Sequence, residues 1–314
     1  MTNFEHLKKL PLKKKGQTNI FVGISGGVDS AFTAHKLKKL GFSVTGVFMV
    51  CVDPATPGCR GNQDKKDAIS VANFLGIKLL IWDFVDIYKQ KVLDKTINYY
   101  KNGKTPNPDI FCNINIKFDL FLNKAIKNNA GYIATGHYAK NTRYKKNYIL
   151  HTPLDISKDQ TYFLAGIKKE LLKYAIFPLQ NEVKKDIRKK AKSAQLPNWD
   201  KKDSTGVCFM EGVNFNNYLK SKIKSSKGTV KNTLGEVIGS HEGVSFVTIG
   251  QRSGFNIAKY QGKPMYVIYK NIKENSITVG EKSDLLTDNF KIDNLNLFID
   301  KEDLISRKNL YFRI

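Results

Sequence analysis

The eight residues Gly23-Ile-Ser-Gly-Gly-Val-Asp-Ser30 constrain the fold of this chain more than any other feature in it. They follow Thr18-Asn-Ile-Phe-Val-Gly-Ile24, a short apolar run rich in β-branched residues that predicts a buried strand. They precede Ala31 to Leu40, a helical stretch stopped by Gly41. At such a strand-to-helix junction two glycines let backbone N–H groups approach a ligand closely. Ser25 and Ser30 add hydroxyls, and the free N–H groups and dipole of the following helix favour an anion. The segment is not a Walker A loop, because no Gly-Lys-Ser/Thr follows, and it is not a GxGxxG dinucleotide fingerprint. The bland alternative is a tight turn with incidental serines, and an intact SGGxDS directly after a first strand argues against it.

The rest of the first half keeps the same grammar. Ser43 to Val50 predicts a second strand, Asp64 to Leu75 a helix with Ala68, Val71, Ala72 and Leu75 on one face, and Lys78 to Trp82 a third strand. Ile87 to Tyr100 and Ile114 to Lys127 predict helices, and Tyr132 to Thr135 another strand. This alternation predicts a doubly wound α/β domain around a parallel sheet. From Lys168 to Ala194 the pattern is helical, including the basic run Lys184 to Lys192, and a further helix is expected at Phe215 to Ile223. After Ser226 short strand-like runs alternate with Gly-bearing turns, at 228–231, 236–238, 245–249, 265–269 and 276–279. The expected organisation is a basic arm over 1–17, the α/β domain over 18–213, a small β-rich domain over 214–281, and the start of a further β unit over 282–314.

Charge narrows the partners. Lys and Arg number 52 against 28 Asp and Glu, a net +24 over 314 residues, and such a globule repels itself unless a polyanion compensates. Asn-Lys-rich stretches such as Ile126-Lys-Asn-Asn129 offer composition bias as the competing explanation. With 41% hydrophobic and 25% charged residues the chain reads as folded. It has no run of eighteen apolar residues and no apolar signal core at its start, so a cytoplasmic location without a membrane is expected. The four cysteines, at 51, 59, 112 and 208, include no CxxC pair and are too sparse for a disulfide scaffold.

Two cysteines stand in informative contexts. Thr105-Pro-Asn-Pro-Asp-Ile-Phe-Cys-Asn113 predicts a stiff loop leading into a helix. Asp109 and Cys112 then lie at the helix start, where the dipole would lower a thiol pKa, with a helix cap and a buried cysteine as the plainer reading. In Lys202-Asp-Ser-Thr-Gly-Val-Cys-Phe209 the Gly and polar residues suit an accessible Cys208, and a strand-core cysteine fits as well.

SGGxDS resembles the PP-loop of the ATP pyrophosphatases, with an adenine nucleotide alpha hydrolase-like fold. These enzymes split ATP into AMP and pyrophosphate while adenylating an oxygen of the substrate. The ordered series of PP-loop, TPNPDIFCN, Ala134-Thr-Gly-His-Tyr138, Lys158-Asp-Gln-Thr-Tyr-Phe163, Phe177-Pro-Leu179, KKDSTGVCF and Thr248-Ile-Gly-Gln-Arg252 resembles the tRNA-specific 2-thiouridylase (MnmA) family over nearly the whole chain from Asn19. The resemblance implies ATP and Mg²⁺ as cofactors, with Asp29 acting through the metal and no metal site built by the protein itself. It implies ATP contacts at Gly23, Ile24, Ser25, Gly26, Gly27, Val28, Asp29, Ser30, Met49 and Gly136. It implies a tRNA partner contacted through Asn107, Pro108, Asp109, Lys158, Asp159, Gln160 and Arg313, with a flipped-out wobble uridine because its C2 is hidden in a stacked loop. A sulfur-donor protein, either a cysteine desulfurase or a relay protein, is implied as a second partner.

In the implied chemistry Cys208 carries a persulfide and Asp109 is the acid/base residue beside the base. Cys112 either attacks the persulfide to release hydrosulfide, or helps expel product while the sulfur on Cys208 attacks C2. The family also implies a C-terminal β-barrel, which residues 282–314 would represent in shortened form. Cys51 and Cys59 carry no catalytic assignment, and His137 is expected to be structural or to pack near the adenine.

Overall fold

The computed structural model describes residues 18–203, 206–258 and 262–311. The basic arm 1–17 and Arg313 therefore lie outside the described residues. The chain divides into two compact units: Met1–Lys89, Asp109–Gly212 and Leu295–Ile314 form one, Gln90–Pro108 and Val213–Asn294 the other.

In the first unit, strands β1 (Asn19–Gly23), β2 (Ser43–Val50), β3 (Lys78–Asp83) and β4 (Tyr132–Ala134) belong to one parallel sheet. β5 (Lys140–Tyr144) and β6 (Asn147–His151) form a separate antiparallel hairpin, and β7 (Ala175–Ile176) returns to the main sheet beside β4. The strand order is β3-β2-β1-β4-β7. β1 is the middle strand: Ile20 pairs with Val44 on one side and Tyr132 on the other. A strand covered on both faces must be apolar throughout, which is why Ile20, Phe21 and Val22 form a continuous run instead of an alternating one. Helix α1 (Val28–Lys39) buries Ala31, Phe32, Ala34 and Leu37, and helix α2 (Gly61–Leu75) buries the predicted face Ala68, Val71, Ala72 and Leu75.

The order of the sheet reverses at β1, since the chain first runs outward through β2 and β3 and later returns to β4 on the other side. Ligands of open α/β sheets bind outside the carboxyl ends of the strands at such a switch point. Ser25–Ser30 leaves β1 there, and Gly136 leaves β4 there.

Three helical expectations are refined. The stretch beginning near Ile87 is α3 (Val85–Tyr88), a π-helical turn (Lys89–Asp94) and α4 (Lys95–Lys101). The stretch expected from Ile114 starts earlier, as α5 (Pro108–Cys112), and runs through a π-helix (Asn113–Leu120) into α6 (Phe121–Lys127). Pro108 takes the first helical position, where a missing N–H costs nothing. The continuous helix read over 168–194 is instead a 3₁₀ turn (Lys169–Tyr174), β7, a loop and α7 (Lys184–Ser193). Pro178 removes a donor and biases Phe177 away from helical geometry, so the chain becomes extended there.

In the second unit α8 (Phe215–Lys222) packs Leu219 against Ile97. Five strands follow: β8 (Gly228–Lys231), β9 (Val237–His241), β10 (Phe255–Ile257), β11 (Tyr266–Asn271) and β12 (Ser276–Gly280), in the order β10-β9-β8-β12-β11. Val230, Val244, Val247, Val267, Ile277 and Val279 are its core. The strand expected over 245–249 is a 3₁₀ turn (Val244–Phe246), closed by Phe246 N–H donating to the Gly243 carbonyl at 3.0 Å. Where the sequence suggests a further β unit, residues 282–311 hold a 3₁₀ turn (Lys282–Leu285) and α9 (Lys301–Ile305), with no strand among the described residues. A strand needs a ladder partner, and no described strand pairs with this segment, whose Leu286, Phe290, Ile292 and Leu295 are exposed.

Candidate active site

The loop after β1 is tied to itself before it meets any ligand. The Ser30 hydroxyl donates to the Gly27 carbonyl at 2.9 Å and accepts from the Ser25 N–H at 3.2 Å. Gly26 has φ +81°, and a Cβ built on it would sit 2.5 Å from the Asp64 carbonyl oxygen, so only glycine fits. A Cβ on Gly136 would meet the backbone of Asp29 and Ser30 at 3.0 Å, so the loop after β4 presses on the start of α1. Gly27 precedes α1 at the cap position and has no side chain to bond it, leaving the first-turn N–H groups of α1 to a ligand.

Asp29 in that first turn accepts from Lys184 Nζ at 2.8 and 2.7 Å and from the Tyr138 hydroxyl at 3.0 Å. Burial and the Asp29 carboxylate push the Tyr138 phenol up, so it stays a donor. Lys184 opens the basic run of α7, yet it is buried and also pairs with Asp203 at 2.9 Å. An open cavity of about 800 Å³ extends from Ser25 past Met49, Cys51, Asp64 and Phe84 to Phe209. These residues all follow or end β1, β2 and β3, except Asp64 in α2 and Phe209, which adjoins Cys208.

The cysteines are all free thiols. Cys112 lies fully buried at the end of α5, and its thiol hydrogen-bonds the half-buried Cys208. Of the two readings the sequence allowed for Cys112, a thiol lowered by the helix dipole and a buried cysteine, the second holds. Burial pushes its pKa well up, the hydrogen bond to Cys208 and that sulfur's charge add to this, and desolvation outweighs a terminal dipole. Cys208 is the activated thiol, lowered to about 7 chiefly by the hydrogen bond from Cys112, with Lys117 adding its charge and a hydrogen bond against opposing burial and Asp109.

The Cys208 backbone is clamped from both ends of the peptide. Its N–H donates to Asp109 Oδ1 at 2.8 Å, and its carbonyl accepts from the Tyr88 hydroxyl at 2.6 Å. Phe209 follows in the left-handed region (φ 64°), a conformation that strains a non-glycine residue. Its ring meets Tyr88 edge-on at 5.9 Å, with Lys117 Nζ 5.6 Å from the ring centroid. Tyr138 and Lys184 stand in stretches that the sequence singled out, the Ala134–Tyr138 motif and the basic run Lys184 to Lys192, but without a role beside Asp29; Lys117 and Tyr88 were not visible as site residues. Only Lys117 left a trace, five residues after Cys112, and that spacing means a shared face in a π-helix but not in an α-helix.

The other expected residues fall into distinct environments. Gly23 and Ile24 line the end of β1, Val28 is buried at the start of α1, and Met49 is buried at the end of β2. Lys158 is exposed, 3.8 Å from Asp203. Asp159 is buried and accepts from Thr161, while Gln160 accepts the Tyr138 N–H at 3.0 Å, so both direct polar groups into the protein. Asn107 is half-buried and Pro108 buried. His137 is buried against Phe118 and Phe177, bonded to the Thr135 hydroxyl at 2.8 Å, and held neutral by burial and Lys117. No cluster of three metal-ligating side chains occurs among the described residues.

The sequence pattern of the family described as tRNA methyl transferase HUP domain matches residues 18–212, and that described as tRNA methyl transferase PRC-barrel domain matches 216–281. A tRNA-specific 2-thiouridylase of Aliarcobacter butzleri is 41% identical over 270 residues, covering 83% of this chain and 74% of the relative. The chain belongs to the tRNA-specific 2-thiouridylase family. Further members are the 2-thiouridylases of Geobacillus kaustophilus, 41% identical over 86% of this chain and 73% of that one, and of Staphylococcus saprophyticus, 39% identical over 91% and 79%. Among solved structures, the U34-tRNA thiolase NcsA of Methanococcus maripaludis aligns over 69% of this chain and 70% of its own, at 17% identity and TM-score 0.43, too distant to add to the match within the family.

Proposed function

We propose that this chain converts the wobble uridine of tRNA to 2-thiouridine, using ATP to activate the base and Cys208 to carry the sulfur. The observation that carries the reading is the meeting of Cys112 and Cys208, from distant segments, with Phe209 beside them lining the same cavity as Ser25 of the PP-loop. A PP-loop ligase acting on a small molecule through a nitrogen nucleophile has no use for that thiol pair.

The O2 of the uridine attacks the α-phosphate of ATP, pyrophosphate leaves, and the base becomes an O-adenylate. The Ser25–Ser30 loop and the α1 N-terminus hold the phosphates, Lys184 balances charge beside Asp29, and Met49 and Gly136 line the nucleotide site. Asp29 is the carboxylate available to a phosphate-bound Mg²⁺, a donor set that fits an ion usually held by one or two carboxylates and substrate oxygens. When bound, the metal neutralises phosphate charge.

The Cys208 thiolate attacks the terminal sulfur of a donor persulfide and displaces the donor's thiolate. The hydrogen bond between the two cysteines favours the first of the two sulfur routes. The Cys112 thiol passes its proton to the outer sulfur of the Cys208 persulfide as its own sulfur attacks the Cys208 sulfur, the outer S–S bond breaks, and hydrosulfide leaves as a Cys112–Cys208 disulfide forms. Hydrosulfide adds at C2 and AMP departs with the former O2. A thiol reductant resets the pair. Asp109, bonded to the Cys208 N–H, sits where it can move a proton at the base. Lys158 and the arginine at 313 remain candidates for tRNA contact. No described helix is long and apolar enough to cross a membrane, and a tRNA substrate is compatible with the expected cytoplasmic location.

Protein incubated with ATP, Mg²⁺, a persulfide donor and unmodified tRNA is expected to yield 2-thiouridine by nucleoside mass spectrometry, with AMP and pyrophosphate. Cys208→Ser should lower the yield by at least about 100-fold, the scale of losing a reacting group. An undiminished yield would remove Cys208 from the reaction.

A further inference from the structure

Lys117 is a cation in an unusual place. It is half-buried on the π-helical stretch that continues from Cys112, and its ammonium hydrogen-bonds the Cys208 sulfur while lying 5.6 Å from the Phe209 ring centroid. In an α-helix, residues five apart are turned about 140° from one another. The i→i+5 bonding of a π-helix turns the backbone less per residue, which brings residue 117 back to the face of residue 112. π-Bulges concentrate at functional sites, and this one turns the cation toward the thiols.

We infer that Lys117 is the positioning residue that keeps the Cys208 sulfur anionic and aimed at its sulfur donor, a role that rests on the sulfur-carrier reading of Cys208. The attack on a donor persulfide needs the thiolate, since the thiol is a poor nucleophile. Two described neighbours favour a negative sulfur on Cys208: the Cys112 thiol, through the hydrogen bond that is the larger effect, and Lys117, through its charge and a hydrogen bond. Burial and the carboxylate of Asp109 oppose the charge, Cys51, Tyr88 and His137 are uncharged, and Cys112 acts as a neutral donor, so the positive charge beside the sulfur comes from Lys117. Lys117 is itself held protonated: burial opposes its charge, but Cys208, Cys112 and Asp109 more than offset that. The same cation stands ready for the persulfide, which carries its charge one atom further out.

The competing explanation is packing, with Lys117 laid over the Phe209 ring as a cation–π contact. The two are separated by the pH dependence of Cys208 alkylation with iodoacetamide, read by peptide mass spectrometry on full-length protein. The wild type should be half-reactive near pH 7. Lys117→Met, which still packs on an aromatic ring, and Lys117→Gln, which still offers a hydrogen bond, should each move that midpoint up by about one unit or more, with about tenfold slower alkylation at pH 7. Lys117→Arg should restore the midpoint to within about half a unit. Thiolation from a persulfide donor should fall about tenfold at pH 7 in the neutral variants and recover as pH is raised toward 9, with ATP binding unchanged.

An unchanged midpoint in either folded neutral variant overturns the role of Lys117, whatever the thiolation rate. So does a wild-type midpoint at the ordinary thiol value of about 8.5, which needs no variant at all. A low midpoint that depends on Lys117, in a protein that makes no 2-thiouridine, would instead overturn the proposed reaction and leave the cation–thiolate pair standing.

Discussion

At the scale of single residues the site separates two cysteines by environment. Cys112 is sealed and held protonated, whereas Cys208 is half-buried beside a cation and ionises near 7, so the sulfur carrier and its partner are set by position. The sequence named both thiols and Asp109 and left Cys112 between a dipole-activated and a buried thiol, because a helix start is visible in sequence and full burial is not. Tyr88 is the residue that sequence reasoning had no means to see: its hydroxyl reaches the Cys208 carbonyl across 120 positions of chain. Tyr88→Phe removes that donor and leaves the carbonyl short of a partner. The expected cost is about 1 kcal/mol in unfolding free energy from denaturant titration, with a several-fold slower thiolation and unchanged ATP binding. Wild-type stability and rate in this variant would mean that the Asp109 bond alone fixes the Cys208 backbone.

At the scale of elements the parallel sheet was legible. Ser43–Val50 and Gly228–Lys231 were read to the residue, because continuous apolar runs and glycine stops are local signals. The misses share a cause in tertiary context. The run 245–249 is as apolar as a strand, yet Gly243 at φ 141° starts a 3₁₀ turn that buries Val244 and Val247 without a ladder. β7 is two residues long and exists because β4 offers a free edge, which no window of sequence reveals. The π-helices at 89–94 and 113–120 carry no sequence signature, although one of them shapes the thiol site.

The PP-loop makes its own prediction at this scale. Gly26→Ala forces an L-residue to φ +81° and brings its Cβ to 2.5 Å from the Asp64 carbonyl oxygen. The expected loss is at least about 2 kcal/mol of stability together with ATP affinity, measured by denaturation and by titration calorimetry. Unaltered ATP binding would show that the loop tolerates another path past α2.

At the scale of the whole molecule the net charge of +24 now has a use. A protein that must hold a polyanion gains from excess Lys and Arg, and some of that excess is structural. Lys36 is buried against Glu182 at 2.6 Å, Lys201 pairs with Asp64 and Asp67 at 2.6 Å, and Lys184 serves Asp29. Composition could not separate these inward lysines from the outward ones, such as Lys185 and Lys189 on α7.

The central claim concerns the oxygen that sulfur replaces. If ATP activates O2 of the wobble uridine, that oxygen must leave with AMP. tRNA carrying ¹⁸O at O2 of that uridine, thiolated with unlabelled ATP, should therefore yield one ¹⁸O in the phosphate of AMP for each 2-thiouridine formed. AMP without the label, alongside 2-thiouridine, would contradict adenylation of the base and with it the role assigned to the loop after β1.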